Sequence, residues 1–264
     1  MKKIFKFIIE RYLKLLTKII IRRHKPLVVA IAGSTNKTFI KEQVLVELKN
    51  EKGVRGNPRS FNTEIGLPLA VLFLPSGYSS IFKWVDVLLA GTYISVFQRN
   101  FPRILVLEMG VQRKGDIKYL LSIIKPSVAV ISDLSRNFSD NENLMDEEMA
   151  CLISFIPKTG KVILNIDHGR VAALEKYSKA PIIFFGKDKK ADVRIKNIRR
   201  DSNGQNFDLE TGNKKSQLKT ELFGMHNVYA LVAANVVATE IKNCLKSRPS
   251  IIKGTNKNVN RKEK

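Results

Sequence analysis

Five short apolar runs punctuate the middle of the chain: Leu27–Ala32, Ile104–Leu107, Val128–Ile131, Lys161–Leu164 and Pro181–Phe185. They are continuous rather than alternating, the pattern of strands buried on both faces of a parallel sheet. Between them lie stretches of helical character, over 38–50, 80–98, 115–124 and 144–156. Strands and helices in this alternation predict a parallel sheet covered by helices on both faces. From about 190 to 222 the pattern turns to strict alternation, in VRIKNI, FDLET and LKTELF, which predicts a small antiparallel portion. A last helix is expected from about His226 to Leu245. The fold class is therefore α/β.

Residues 3–23, KIFKFIIERYLKLLTKIIIRR, also repeat with a helical period. Ile4, Ile8, Leu15 and Ile19 fall on one side, joined by Phe5, Ile9, Tyr12, Leu16 and Ile20. Lys3, Lys6, Glu10, Lys14 and Lys18 fall on the other. A charge at least every four or five residues excludes a transmembrane span and the apolar core of a signal peptide. Pro26 ends the helix. Two readings stand: a helix lying in a membrane interface, and a helix docked on its own domain with its lysine stems along the edge.

Charge sharpens that choice. The 264 residues include 46 Lys and Arg against 24 Asp and Glu, a formal charge of +22. Such a balance points to nucleic acid, an anionic membrane or phosphorylated ligands. It is concentrated at the ends, with nine Lys/Arg against one Glu in 1–25 and eight against one Glu in 241–264. No aromatic-interleaved basic motif and no recognition-helix pattern accompanies it, so nucleic acid is the least supported partner. Two cysteines, Cys151 and Cys244, make no disulfide framework and suggest a reducing compartment. Three histidines without a cysteine cluster argue against zinc. The organisation expected is a basic amphipathic helix over 1–25, one α/β domain over 26–245, and a basic tail over 246–264 that reads as disordered.

Chemistry enters at residues 30–38, AIAGSTNKT, between the strand LVVAI and a helix. Strand, glycine-bearing turn, lysine, hydroxyl residue and helix is the order of a phosphate-binding loop, so the sheet is of the P-loop type. Its backbone N–H groups wrap phosphate oxygens, and the positive end of the helix faces the anion. Gly33, Ser34, Thr35, Asn36, Lys37 and Thr38 are candidate nucleotide ligands, with the Lys37 ammonium on the phosphates and the Thr38 hydroxyl on Mg2+. Asn36 stands where such loops carry glycine. Asparagine tolerates a left-handed backbone better than other side-chain-bearing residues, so the loop is expected to survive with strain on the order of 1 kcal/mol. Ligands of a parallel sheet sit at the carboxyl ends of the strands. Glu108 after ILVL, Asp133 after VAVIS, and Asn165 and Asp167 after KVIL all fall there.

Five blocks then extend the pattern: GSTNKT, SFNTEIGLPLAVL (60–72), LVLEMGVQRKGDIKYLLSIIKPSVAVIS (105–132), PKTGKVILNIDH (157–168) and FGMHNVYALVAANVVA (223–238). In this order, over roughly 27–240, they resemble the Mur ligases, and most of all the branch that adds D-alanyl-D-alanine in peptidoglycan synthesis. Such enzymes typically have a UDP-substrate domain, a central ATPase domain and a third domain that brings the amine, and this chain resembles the central one. The resemblance implies ATP and Mg2+ as cofactors and a UDP-muramyl peptide as substrate. ATP would phosphorylate a carboxylate, and an amine would then attack the acyl phosphate and release inorganic phosphate. It implies phosphate binding by Gly33, Ser34, Lys37 and Thr38, and Mg2+ binding by Thr38 and Glu108. Asn62, Thr63 and Glu64 would line the substrate side, and Asn165, Asp167, His226 and Asn227 would lie near the adenosine. It also implies a cytoplasmic location; of the two readings of the basic helix, the interfacial one would add a peripheral place on the inner face of the plasma membrane.

Besides Asn36, the sequence departs from that family at Phe39, Phe138, Met149 and Cys151. The metal-linked histidine of the family falls at Phe138. The carbamylated lysine that holds a second Mg2+ falls at Met149, with Cys151 where a glutamate is usual. No His or Lys occurs in 137–157, and a thioether or phenyl ring does not replace a hard oxygen ligand. Phe39 replaces a small hydroxyl residue. Two functions are thus expected. One is an ATP-dependent D-Ala-D-Ala-adding ligase, weak or inactive alone and completed by a partner chain. The other is a non-catalytic, membrane-peripheral binding or scaffold relative.

Overall fold

Consecutive side chains of the central strands alternate between two covered faces of one sheet. In the computed structural model, which describes residues 3–134 and 143–247, the strands are β1 (Leu27–Ala32), β2 (Val54–Gly56), β3 (Ile104–Glu108), β4 (Val128–Ile131), β5 (Lys161–Asn165), β6 (Ile182–Gly186), β7 (Val193–Asp201), β8 (Gly204–Thr211) and β9 (Lys214–Thr220). They form one nine-stranded sheet in the order β2-β3-β1-β4-β5-β6-β7-β8-β9. Pairing is parallel from β2 through β7 and antiparallel for β7-β8-β9. The alternating segment is therefore antiparallel, as its pattern predicts. The three-residue edge strand β2 is too short to have a period of its own.

The helices are α1 (Lys3–His24), α2 (Lys37–Glu47), α3 (Gly66–Val71), α4 (Ile81–Phe97), α5 (Asp116–Leu121), α6 (Leu144–Phe155), α7 (Gly169–Ala172) and α8 (Met225–Ser247). One core face joins Val28, Ala30, Leu105, Leu107, Ala129 and Ile131 to buried residues of α1, α3, α4, α5 and α6. The opposite face joins Val29, Ile31, Ile104, Val106 and Val130 to α2 and α8. Among the described residues, α8 is the one helix long and apolar enough to cross a membrane, but it is a core helix packed against the sheet.

The chain leaves β1 to build β2 and β3 on one side and then crosses to β4 on the other. This reversal opens a crevice at the carboxyl ends of β1 and β4, where open α/β sheets bind ligands.

Helix α1 is docked on one half of its apolar surface. Ile9, Leu13, Leu16 and Ile20 are fully buried or nearly so. The Tyr12 hydroxyl meets that of Thr92 at 2.9 Å, and Arg23 donates to the Val96 carbonyl on α4. Ile4, Ile8, Leu15 and Ile19 stay exposed, so residues with one helical period divide between core and surface. Of the basic tail, residues 248–264 lie outside the described residues.

Candidate functional site

The loop after β1 leans on the loop after β4. Gly33 has φ +126°, and a Cβ there would lie 2.7 Å from the Asp133 carbonyl oxygen, so a side chain has neither the backbone nor the room. Ser34 N–H donates to that same oxygen at 3.0 Å. Asn36 takes the left-handed conformation, φ 57°, at the start of α2, and its amide donates to the His226 carbonyl at 3.2 Å. No side chain caps α2, which leaves its first-turn N–H groups facing the crevice for an anion. The Lys37 ammonium folds over the loop, 2.8 Å from Gly33 O and 3.0 Å from Ser34 O. Burial pulls its pKa below the ordinary lysine value, partly opposed by the Glu108 and Asp133 carboxylates.

Glu108 ends β3 at 6% exposure. Its Oε2 accepts from the Thr38 hydroxyl at 2.7 Å and its Oε1 from the Asn62 amide at 2.9 Å. Asn57 fixes its backbone: the Asn57 amide donates to Glu108 O at 3.1 Å and Asn57 Oδ1 accepts from Glu108 N at 2.8 Å. The buried Lys41 holds the Asn57 carbonyl at 2.6 Å. A desolvated carboxylate beside a hydroxyl is a hard oxygen pair, a fit for Mg2+ whose remaining ligands would be phosphate oxygens and water. Among the described residues there is no group of three or more His, Cys, Asp or Glu able to hold a metal unaided.

A cavity of about 220 Å³ adjoins the loop, lined by Thr35, Asn36, Asp133, Asn165, Asp167, His226 and others. Asn165 donates to Ser132 O at 3.1 Å and accepts from the Asp167 N–H at 3.1 Å. The Asp167 carboxylate accepts from Lys187 N, Asp188 N and the Tyr229 hydroxyl at 2.7–3.0 Å. Burial and then that hydrogen bond push the Tyr229 phenol well above the usual tyrosine range. Asp133 bridges the Thr35 hydroxyl at 2.5 Å and His168 Nε2 at 3.0 Å. Asn165, Asp167 and His226 thus meet in one cavity. Asn227 does not line it, because its amide is turned to the Phe223 carbonyl at 2.8 Å. Sequence reading missed Ser132, His168 and Tyr229 as lining residues. His168 and Tyr229 lie inside the blocks NIDH and GMHNVYA, which was the available signal.

On the substrate side, Asn62 reaches Glu108, while Thr63 and Glu64 line a second cavity of about 100 Å³ with Lys6, Arg113, Tyr119 and others. Lys6 comes from α1 and pairs with Glu64 at 2.8 Å. Burial alone would raise the Glu64 carboxyl, but the Lys6 hydrogen bond, a backbone N–H and the charges of Lys6 and Arg113 together hold the pKa below the usual value.

The second-metal positions look inward. Met149 on α6 is fully buried in the core, and Cys151 is half-buried. The neighbouring Glu148, 4% exposed, accepts from Gly115 N and Ile117 N, each at 2.7 Å, and so caps α5. Glu147 pairs with Lys114 at the surface. Phe138 lies outside the described residues. Phe39 packs against the core face that α2 and α8 share.

Residues 90–238 match the family model of the Mur ligase middle domain. The chain is 26% identical over 218 residues to the UDP-N-acetylmuramoyl-tripeptide–D-alanyl-D-alanine ligase of Mycobacterium bovis, covering 81% of this chain and 38% of that protein. To the ligase of the same name from Haemophilus influenzae it is 25% identical over 243 residues, covering 86% of this chain and 47% of that protein. The chain thus spans less than half the length of these relatives. Among solved structures it superposes on MurF ligase from Thermotoga maritima in complex with ADP, with a TM-score of 0.69 and 22% identity over 89% of this chain and 49% of that one. That likeness is one of fold.

Proposed function

The chain belongs to the Mur ligase middle-domain family, and from that premise we propose that it is the ATP- and Mg2+-binding part of a ligase of peptidoglycan synthesis that adds D-alanyl-D-alanine to a UDP-muramyl peptide. The observation that carries this reading is the Thr38–Glu108–Asn62 arrangement beside Lys37 at the sheet's crossover crevice. Forming an amide from a carboxylate requires the acid to be activated by phosphoryl transfer, which needs neutralised charge and fixed alignment. Lys37 and the N–H groups opening α2 supply positive charge to the phosphates. Thr38 and Glu108 would hold Mg2+, which supplies further neutralisation. Asn165, Asp167, His226 and Tyr229 shape the adenosine side, and Asn62, Thr63 and Glu64 face the acceptor.

Met149 in the core favours a reduced metal site, and so a chain that binds nucleotide but ligates weakly or not at all on its own. The same reading puts the protein in the cytoplasm. A partner chain would complete the ligase, and residues 1–25 would be the candidate contact to the inner face of the plasma membrane.

Calorimetric titration with ATP tests the site. Binding is expected to require Mg2+, to vanish in Lys37→Ala and to weaken in Glu108→Gln. Absence of binding in the wild type, or unchanged binding in Lys37→Ala, would overturn the assignment.

A further inference from the structure

We propose that α1 and α4 together form a platform that seats this protein on an anionic lipid bilayer. The proposal goes beyond the nucleotide site and does not depend on it. Among the described residues nineteen large apolar side chains are exposed, six of them on α1 from Ile4 to Ile19 and seven on α4 from Ile81 to Phe97. Several are almost wholly in solvent: Ile4 is 76% exposed, Phe82 85% and Leu89 65%. Single exposed apolar residues are ordinary, but a contiguous field of them marks an interaction surface.

The two stripes are contiguous. Tyr12, in the exposed stripe of α1, bonds Thr92, the neighbour of the exposed Tyr93 on α4. Just beneath, a Cβ on Gly91 would lie 3.0 Å from Leu16 Cδ1, so the helices touch at that seam. Both stripes adjoin the seam, one from each side.

Charge selects the occupant. Along the same two elements α1 carries Arg11, Lys18 and Arg22 against Glu10, with Lys14 turned over the Tyr119 ring of α5 and Arg23 tied to the Val96 carbonyl, and the α4 region carries exposed Lys83 and Arg99 against Asp86. An apolar centre bordered by basic residues is the composition of a surface lying in the lipid headgroup plane. A second copy of this chain would set basic border against basic border, which like-charge repulsion disfavours. Protein interfaces also avoid lysine near their centres, whereas a bilayer accepts lysine stems that snorkel to its headgroups.

The buried half of α1 makes this a face of the folded domain rather than a detachable anchor. Removing residues 1–25 would open the core, so the test uses exposed side chains. The full chain is sedimented with vesicles of phosphatidylglycerol and phosphatidylcholine in equal parts, and with phosphatidylcholine alone. Binding to the anionic vesicles only, weakened by added salt, is expected. Lys18→Ala with Arg22→Ala should lower that affinity about tenfold or more. Phe82→Asp with Leu89→Asp should abolish it while ATP binding and the circular dichroism spectrum stay unchanged. If the acidic pair fails to fold, Phe82→Ser with Leu89→Ser takes its place. Equal vesicle binding by the apolar-face variant would overturn the proposal, as would no binding by the wild type. A dimer seen by sedimentation velocity and broken by the same variant, without vesicle binding, would assign the face to a second copy instead.

Discussion

At the scale of single residues, Asn36 is the place where this loop departs from a glycine-bearing one, and its geometry shows how the departure is tolerated. The backbone is left-handed, φ 57°, and the side chain is tied to the His226 carbonyl at 3.2 Å. Asn36→Ala loses both the hydrogen bond and asparagine's tolerance of that conformation, and should cost about 1–2 kcal/mol, read from the midpoint of urea unfolding. Asn36→Gly keeps the backbone free of strain and should bind ATP at least as tightly as the wild type. An unshifted midpoint for the alanine variant would mean that the left-handed turn costs nothing here. Glu108 was legible in the sequence because a carboxylate directly after a buried strand must lie at the ligand-binding edge. Tyr229 was not, because its partner Asp167 is 62 residues away.

At the scale of elements, α1 shows the difference between a period and a partner. Its repeat marks a broad apolar side, and α3 and α4 cover only half of it. Leu13→Ala, at a fully buried position, should destabilise the protein by about 2–5 kcal/mol. Leu15→Ala, two residues on and exposed, should stay within about 0.5 kcal/mol of the wild type. Chemical denaturation of the pair checks the docking, and similar losses for both would mean that α1 does not rest on the domain as described. Helix α6 makes the same point inward. Met149 joins the core, and Glu148 is spent on two N–H groups around the start of α5. Both Glu148 carboxylate oxygens are thus engaged by backbone N–H groups.

At the scale of the whole molecule, the chain spans 38–47% of the full-length ligases it matches. Holding amine and activated acid together is worth up to ~7–11 kcal/mol of barrier in well-oriented reactions. The 264-residue chain on its own should therefore form no amide from UDP-muramyl peptide and D-Ala-D-Ala over hours with excess protein, as followed by mass spectrometry. Lys37-dependent conversion would overturn that expectation. The sequence by itself determined the parallel sheet, the antiparallel end, the strand–turn–helix order at Gly33–Thr38 and which residues reach the carboxyl edge. These follow from local periodicity and from the order of strand, turn and helix, which each segment carries within itself. Only the tertiary structure decided that Asn227 turns away while Tyr229 turns in, that Lys6 reaches Glu64, and that α1 and α4 share one exposed apolar field. A helical period says which side chains share a side, but what covers that side is set by neighbours that the fold brings in from distant parts of the chain.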